Sequence, residues 1–519
     1  MNLSRRSFIF GGAASLVGAG AVLGGCNHKI GGQAVNAGEA IKVAMVDYFD
    51  KFDFVGAANP TIVSIGWHIL EGLYDINPYT NETYPALADD APVKIDDTTY
   101  EITLRDNAKY SNDAKVMAGD IINSINVAKK KESISGYLDF IRSVESAGNN
   151  KIKLNLNYPV GDVLEQRLSL AKITPASASD VDKTTTPVGT GPYMITEMNG
   201  SIGGEIKFTP NANYNGRLAN PENPMVWTIP ADAEARAGAI KNDAVHICED
   251  YPLDKIKEIG ESGKSIEYIP GFECANFFFH TTNQVFSHRE LRQAVYYAVN
   301  TERLINDKMA GHAGLVTCVL AETNKDYHPA STIYTYNPDK AKELIAASGV
   351  ANPQINFVAD KNCWAYKFKD YVIADLEAVG FKCNVIDAEF RWSDVGEKLK
   401  NIDYDICMST YERSLHGANA DFLLNNMYYT DTFMDKRTGY ADTPGNRLGE
   451  IKSLLEDALG ASGNELQDIY NQVFDIVAEE VVFYPFLRRD QVTAFDKTKV
   501  NGFRGLPTGG MYCLETTLR

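Results

Sequence analysis

The first 26 residues decide where the rest of this chain has to fold. Ser4-Arg5-Arg6-Ser7-Phe8-Ile9 opens on two arginines, an apolar run follows from Ile9 to Leu23, and Gly24-Gly25-Cys26 closes it. Charged, then apolar, then small is the layout of an export signal. Gly11, Gly12, Gly18 and Gly20 interrupt the run, which is too short and too weakly apolar for a stable membrane span. Arg5-Arg6 ahead of Phe8-Ile9 resembles a twin-arginine signal, which is an address read by a receptor and not an anchor. Leu23-Gly24-Gly25-Cys26 resembles a bacterial lipobox, in which the cysteine sulfur receives a diacylglycerol and residues 1–25 are cut away. Two acyl chains, at about 0.8 kcal/mol per buried methylene, hold a protein stably at a membrane. The expected product is a lipoprotein tethered through Cys26 outside the cytoplasm, on the periplasmic side or at the cell surface.

Removing residues 1–25 from the 519 leaves 494, enough for two or three domains. An apolar fraction of 44% is that of a globular chain able to bury a sizeable core. Loss of Arg5 and Arg6 with the leader takes the formal charge from -18 to -20. So acidic a surface argues against nucleic acid and against a broad electrostatic grip on anionic lipid. Beyond Cys26 stand Cys248, Cys274, Cys318, Cys363, Cys383, Cys407 and Cys513. Their number is odd and no C-x-x-C occurs, so they read as small buried hydrophobes more than as a disulfide framework.

Residues 26–38 are polar, glycine-bearing and aperiodic, a flexible leash. Ile41–Val46 reads as the first core strand, and Ile62, Ile65, Ile69 and Leu70 mark a helix over 61–71. Tyr100, Ile102 and Leu104 alternate as a half-buried strand does, and so do Ile152, Leu154 and Leu156. Helical spacing joins Ile121, Ile122, Ile125 and Ala128, and again Leu291, Ala294, Val295 and Ala298. Gly189 and Gly191 around Pro192 predict a tight turn with unusual backbone angles. Asn337 is placed to cap a helix that starts at Pro338 and stops at Gly349. The second half alternates short strands (355–358, 381–385, 404–408) with helices (368–379, 395–400), an order that predicts a largely parallel sheet. Ala275–His280 and Val481–Leu487 are apolar and β-prone, and read as strands crossing between lobes. Trp227 and Trp392 read as packing.

Glu71-Gly72-Leu73-Tyr74, Pro85-Ala86-Leu87-Ala88 and the stretch from Thr99 to Arg105 stand in the first half of the chain. Pro187-Val188-Gly189-Thr190-Gly191-Pro192-Tyr193, the stretch from Arg289 to Asn300, and that from Tyr336 to Ile345 with Gly349 follow. In this order the blocks together resemble the family 5 extracellular solute-binding proteins, the dipeptide, oligopeptide and nickel-type receptors of ABC importers. Each block is weak alone; their shared order, across roughly residues 40 to 505, is specific. The resemblance implies an α/β, two-lobe periplasmic-binding-protein-like fold of the large three-subdomain peptide-receptor type, with two hinge-crossing strands. Lobe I would span 39–272 with an extra subdomain at about 60–180, lobe II 273–484, and 485–519 would return to lobe I. It further implies closure on a ligand by hinge motion, a monomer, and permease subunits with their ATPases as partners.

No catalytic motif accompanies these blocks. There is no G-x-S-x-G and no H-E-x-x-H, and the eight histidines show no ligand spacing, so neither an enzyme nor a metal or other cofactor is expected. Gly263-Lys264-Ser265 mimics the tail of a phosphate loop, but Glu258 stands where its first glycine belongs. What remains is a pocket. A peptide receptor needs an acid for the ammonium, a base for the carboxylate and aromatic walls. Two loops at the carboxyl ends of strands carry that chemistry, the usual place for ligands in open α/β sheets. One holds Lys361, Trp364 and Tyr366; the other holds Tyr411, Arg413, His416 and Asp421. Lys361 and Arg413 are the candidates for anionic ligand groups, with Trp364 and Tyr411 stacking beside them, and Asn276 on a crossing strand completes the set. Trp364 fits a pocket wall or partial core equally, and Arg413 a ligand contact or a solvated charge.

The second loop departs from the family pattern. Dipeptide receptors carry a G-D-P-D-N-type stretch whose acid holds the free amine; here Gly417-Ala418-Asn419-Ala420-Asp421 puts alanine where the first acid belongs. Asp421, Glu412 or Asp47 would have to substitute, and Phe52-Asp53-Phe54 replaces a first-lobe L-D-P. Three functions stay open: an importer receptor for peptides, a receptor for a metal chelate or haem in which His416 would matter, and a tethered peptide sensor or adhesin.

Overall fold

A computed structural model describes residues 39–148, 150–390, 398–399, 401–411, 414–429 and 437–519. The export signal, Cys26 and the leash lie outside the described residues, as do Glu412, Arg413, Trp392 and most of the expected 395–400 helix.

One mixed sheet runs through the molecule. At its centre lie two long antiparallel strands, Ser265–Phe279 and Phe483–Phe495. On one side follow Ile406–Tyr411, Gln354–Asp360 and Lys382–Ala388, the last two in parallel register. On the other side follow Ile247–Cys248, Ile41–Ala44, Met225–Thr228, Glu205–Pro210 and Tyr193–Met198. The two long strands are thus shared by both wings of the sheet, and they extend the expected crossings toward lobe I. Gln354–Asp360 pairs in parallel with both of its neighbours, as the strand–helix–strand order predicts. The C-terminal end of Ser265–Phe279 is covered on both faces, which is why Phe277, Phe278 and Phe279 follow one another with zero exposure.

The cores follow this split. One apolar cluster gathers residues between Ala275 and Leu487, a second those between Ile41 and Ile247 together with Val500–Leu514, and a third those between Leu73 and Ile173. The third is built on a separate four-stranded sheet of Val93–Asp96, Thr99–Thr103, Lys151–Leu156 and Ile141–Gly148. Phe422, from far along the chain, packs into it at 5.3 Å from the Tyr137 ring.

Local signals placed helices well. Asn337 caps Pro338–Ser348 through its Oδ1, which accepts from the Lys340 N–H at 3.0 Å, and Gly349 ends the helix at φ 74°. The glycines at 189 and 191 have a different reason from the one expected. Neither has a positive φ. A Cβ on Gly189 would sit 1.8 Å from the Ile69 carbonyl oxygen, and one on Gly191 2.7 Å from that of His68. They let this segment pass against the end of helix Pro60–Ile69, which a side chain would prevent. Trp227 is fully buried, 4.7 Å from Phe208 and 5.1 Å from His68. The seven described cysteines are free thiols, five of them buried.

The C-terminal segment is pinned to the same helix. Ser64 Oγ accepts from Met511 N–H at 2.8 Å, and His68 Nε2 accepts from Cys513 N–H at 2.9 Å. His68 Nδ1 therefore carries the proton and donates to the Ser64 carbonyl at 2.7 Å. Burial drives its pKa down to about 4. Glu249 accepts from Gly510 N–H at 2.6 Å and Val46 N–H at 2.8 Å; burial, with Asp47 nearby, pushes its pKa up to about 7.

Candidate functional site

The two shared strands deliver side chains to opposite faces, because successive residues of a strand point opposite ways. On Ser265–Phe279, Phe272, Cys274 and Asn276 face one side, while Glu273 faces the other. On Phe483–Phe495 the register slips between the pairs Ala275–Leu487 and Asn276–Pro485. This bulge lets Pro485 and Arg488 share the first face, although they are three residues apart. Arg489 turns to the second.

On the first face lies a cavity of about 30 Å³. Its walls are Phe272, Cys274, Asn276 and Arg488 from the strands, Val319–Asn324, and the segment after Ile406–Tyr411 that brings in Tyr411, Ser414, Ala418, Leu423 and Met427. A second cavity of about 20 Å³ adjoins it and shares Phe272, Ser414 and Gly417. There the opposing wall is made by Phe54, Trp67, Asn81, Lys172 and Thr508. Residues of both wings meet across this chamber. Ser414 Oγ and Thr508 Oγ1 are 2.8 Å apart, the Ala418 N–H donates to Asn81 Oδ1 at 2.9 Å, and His416 Nε2 lies 2.7 Å from the Ala57 carbonyl.

The polar groups of the chamber are few. Arg488 donates through Nη1 to the Phe272 carbonyl at 3.0 Å and to Cys274 Sγ at 2.9 Å, and through Nη2 to the Val319 carbonyl at 3.1 Å. No carboxylate of the described residues pairs with it. Asn324 is 6% exposed, and its Nδ2 has no hydrogen-bond partner. Asn276, 1% exposed, donates to the Cys274 carbonyl at 3.0 Å. Lys172 is ion-paired with Asp75, whose pKa burial raises.

Of the residues expected from the sequence, the structure brings Asn276, Tyr411 and His416 to this chamber. The others stand elsewhere. Lys361 is on the surface, paired with Glu389 at 2.9 Å. Tyr366 accepts from Lys369 Nζ at 3.0 Å, with that ammonium 4.7 Å from its ring. Trp364 lines a cavity of about 370 Å³ on the opposite face, where its Nε1 donates to Glu273 at 2.7 Å and Arg489 lies 5.4 Å from its ring. Asp421 is buried and takes Arg167 bidentately, at 2.9 Å from Nε and 2.7 Å from Nη2. The loops do leave neighbouring parallel strands, but the sheet divides their tips between two faces. Lys264, in the sequence that mimics a phosphate loop, is paired with Asp496 at 2.5 Å.

Arg488, Asn324 and Phe272 also line the chamber, beyond the residues expected from the sequence. Arg488 carries a sequence signal: two adjacent arginines within one strand must part to opposite faces. Asn324 lies in an aperiodic segment between helices and carries no signal of its own.

The family description for bacterial extracellular solute-binding proteins, family 5 (middle region), matches residues 82–435. A glutathione-binding protein of Pectobacterium atrosepticum is 21% identical over 487 residues, covering 90% of this chain and 91% of its own length. Among solved structures, NikA from Brucella suis in complex with Fe(III)-EDTA superposes with a TM-score of 0.78 at 18% identity, over 92% of this chain and 100% of that one. A dipeptide-binding protein from Pseudoalteromonas sp. SM9913, in complex with Met-Leu, superposes with a TM-score of 0.76 at 16% identity, over 93% and 100%.

Proposed function

This chain belongs to family 5 of the bacterial extracellular solute-binding proteins, and we propose that it captures peptides in the chamber beside the two shared strands and hands them to an ABC permease. The observation that carries this reading is the chamber's construction. Ser414 and Ala418 from one wing meet Thr508 and Asn81 from the other across it. A ligand held there touches both wings only when they are together, so binding favours the closed population. The wall is largely apolar, with a few convergent donors, as small-solute sites are. A glutathione-binding relative and a dipeptide-binding neighbour in complex with Met-Leu support a peptide, while NikA in complex with Fe(III)-EDTA supports the metal-chelate reading of the same scaffold. Lobe I covers 39–272, lobe II 273–484, and 485–519 returns to lobe I. The protein acts as a monomer outside the cytoplasm, held to the membrane by lipid on Cys26 after a twin-arginine signal of residues 1–25 is removed.

Protein stripped of ligand by unfolding and refolding, then offered a pooled set of di- to tetrapeptides, is expected to retain peptide mass in native mass spectrometry. Its radius of gyration in small-angle scattering is expected to fall at the same time. No retained mass and an unchanged radius would overturn the reading. Cys26→Ala is expected to move the protein to the soluble fraction with retention intact; a membrane-bound variant would refute the lipid tether.

A further inference from the structure

The peptide reading does not use a cavity of about 310 Å³ that lies where residues 51–55 pass the helix Ala118–Ala128, with Thr174, Lys183 and Pro187 also in its wall. Small-solute sites begin at about 300 Å³. Phe54 and Lys172 line both this cavity and the chamber, so they are the partition between the two. Phe54 is fixed there by its neighbours. Its ring fills the space beside Gly66, where a Cβ would lie 1.9 Å from Cε2, and it meets the His416 ring edge-on at 5.9 Å.

The charge of this cavity runs against that of the whole molecule. The chain carries 68 acidic and 50 basic residues. Yet Lys51, Lys131, Lys172 and Lys183 all line the cavity, with Asp53 as the one acid among its lining residues. The four lysines come from separate segments, so the fold gathers them. Asp53 pairs with Lys131 at 2.5 Å, and Asp75 pairs with Lys172. Lys51 and Lys183 make no ion pair among the described residues. Lys172 is buried, Lys131 and Lys183 are half-buried and Lys51 is exposed, which leaves an entrance for an ion on the Lys51 side. Ammonium groups gathered around one space repel one another, and an anion between them relieves that repulsion.

The donor type narrows the anion. Lysine acts as a point charge with three donors, and lacks the planar fork by which arginine matches a carboxylate. A phosphate monoester carries about −1.5 to −2 charges at pH 7 and three acceptor oxygens. That suits two uncommitted ammonium groups better than a single carboxylate does. Asn123 adds an amide to the wall, while Phe52, Val55, Leu70 and Val127 give it an apolar side. Going beyond the peptide reading, we infer that this cavity is a second binding site, separate from the peptide chamber, for a small phosphate-class dianion. Lys51 and Lys183 hold the anion, with Lys131 and Lys172 beside them. Inorganic phosphate and a phosphate monoester share the required chemistry.

Calorimetric titration of the full chain in phosphate-free buffer, at fixed ionic strength, tests this with inorganic phosphate, glycerol 3-phosphate and nitrate. At least one of the two phosphates is expected to bind saturably and at least about tenfold more tightly than nitrate. It is expected to raise the thermal midpoint as well. Tighter binding of glycerol 3-phosphate would identify a monoester as the occupant, and tighter binding of phosphate the free anion. The double variant Lys51→Gln, Lys183→Gln is expected to lose the margin over nitrate, with its anion-free midpoint and its peptide retention unchanged. Lys361→Gln, a surface control, is expected to bind phosphate as the parent does. No saturable binding of either phosphate, nitrate bound as tightly, an unaffected double variant, or an equal loss in Lys361→Gln would each overturn the inference. Competitive expulsion of phosphate by saturating peptide would put the anion in the chamber, overturning the second site and leaving the receptor reading standing. Phosphate binding with no binding of any peptide would do the reverse.

Discussion

Arg488 and Arg489 are neighbours in sequence, and their surroundings in the fold could hardly differ more. Arg489 faces the rear of the shared strands, where Glu273 meets it at 2.6 Å and Asp250 at 3.0 Å. Arg488 faces the chamber and rests on backbone carbonyls. The first is a structural ion pair; the second pairs with no carboxylate among the described residues. Strand alternation alone makes the difference. A charged residue's surroundings are thus set by the face on which it lands.

The comparison is most severely tested where a charge is fully enclosed. Arg167 and Asp421 are each 2% exposed. Arg167→Met strands the Asp421 carboxylate, so a loss of about 3–5 kcal/mol is expected from chemical denaturation. Adding Asp421→Leu should recover most of it. If the double variant is as weak as the single, shape and not charge is at issue.

Arg489→Met comes next. Its pair with Glu273 is partly solvated, at 18% and 16% side-chain exposure. An expected cost of about 2 kcal/mol lies between the limits for buried and exposed pairs. Arg488→Met in the same assay should cost less, since no carboxylate is stranded. A reversed order would mean that Arg488, and not Arg489, is the structural arginine.

The buried groups that hold the C-terminal segment give a subtler effect, because their slopes oppose. His68 falls from its ordinary 6.5 to about 4, so the unfolded chain binds a proton there that the folded one refuses. Its contribution is lost as pH falls from about 6.5 to about 4. Glu249 rises from 4.5 to about 7, so the folded state keeps a proton that the unfolded chain has released. Its contribution is lost as pH rises from about 4.5 to about 7. Each slope is at most about 1.4 kcal/mol per pH unit. Between pH 5 and 6.5 the parent is expected to be nearly flat. His68→Gln should become less stable as pH rises, and Glu249→Gln more stable. Denaturation midpoints at three pH values settle the signs; like signs in the two variants would refute the assignment.

The smallest effect belongs to Lys361, whose partner Glu389 is even more solvated than itself. Lys361→Ala is expected to leave the unfolding midpoint and peptide retention unchanged. A loss of retention would return ligand binding to the loop that also carries Trp364.

Much of this protein was legible from short windows of sequence. Helices such as Pro338–Ser348 and Lys369–Val379, and strands such as Lys151–Leu156, declare themselves by periodicity and caps, because those signals depend on neighbours a few residues away. The ordered blocks from Glu71 to Gly349 carried the family, and with it two lobes joined by strands near 275 and 485. The candidate site was legible in part. Tyr411, His416 and Asn276 reach the chamber because each sits on or just after a strand whose place in the sheet the chain order implies.

Partners far apart in the chain were beyond any window. Asp421 looked like a free acid for a ligand, yet Arg167, 254 residues away, has taken it. Trp364 and Tyr411 follow parallel strands, yet the sheet separates them onto two faces. Gly189 was read as a turn former, and it is a glycine because the end of helix Pro60–Ile69 leaves no room for a Cβ. By itself the sequence determined which segments are helix or strand and which family pattern they follow, since backbone preference and periodicity act locally. Only the tertiary structure decided which charges are spent on one another and which residues line the chamber. Ion pairs and cavities form between segments that folding brings together, and the bulge beside Arg488 settles which face each residue meets.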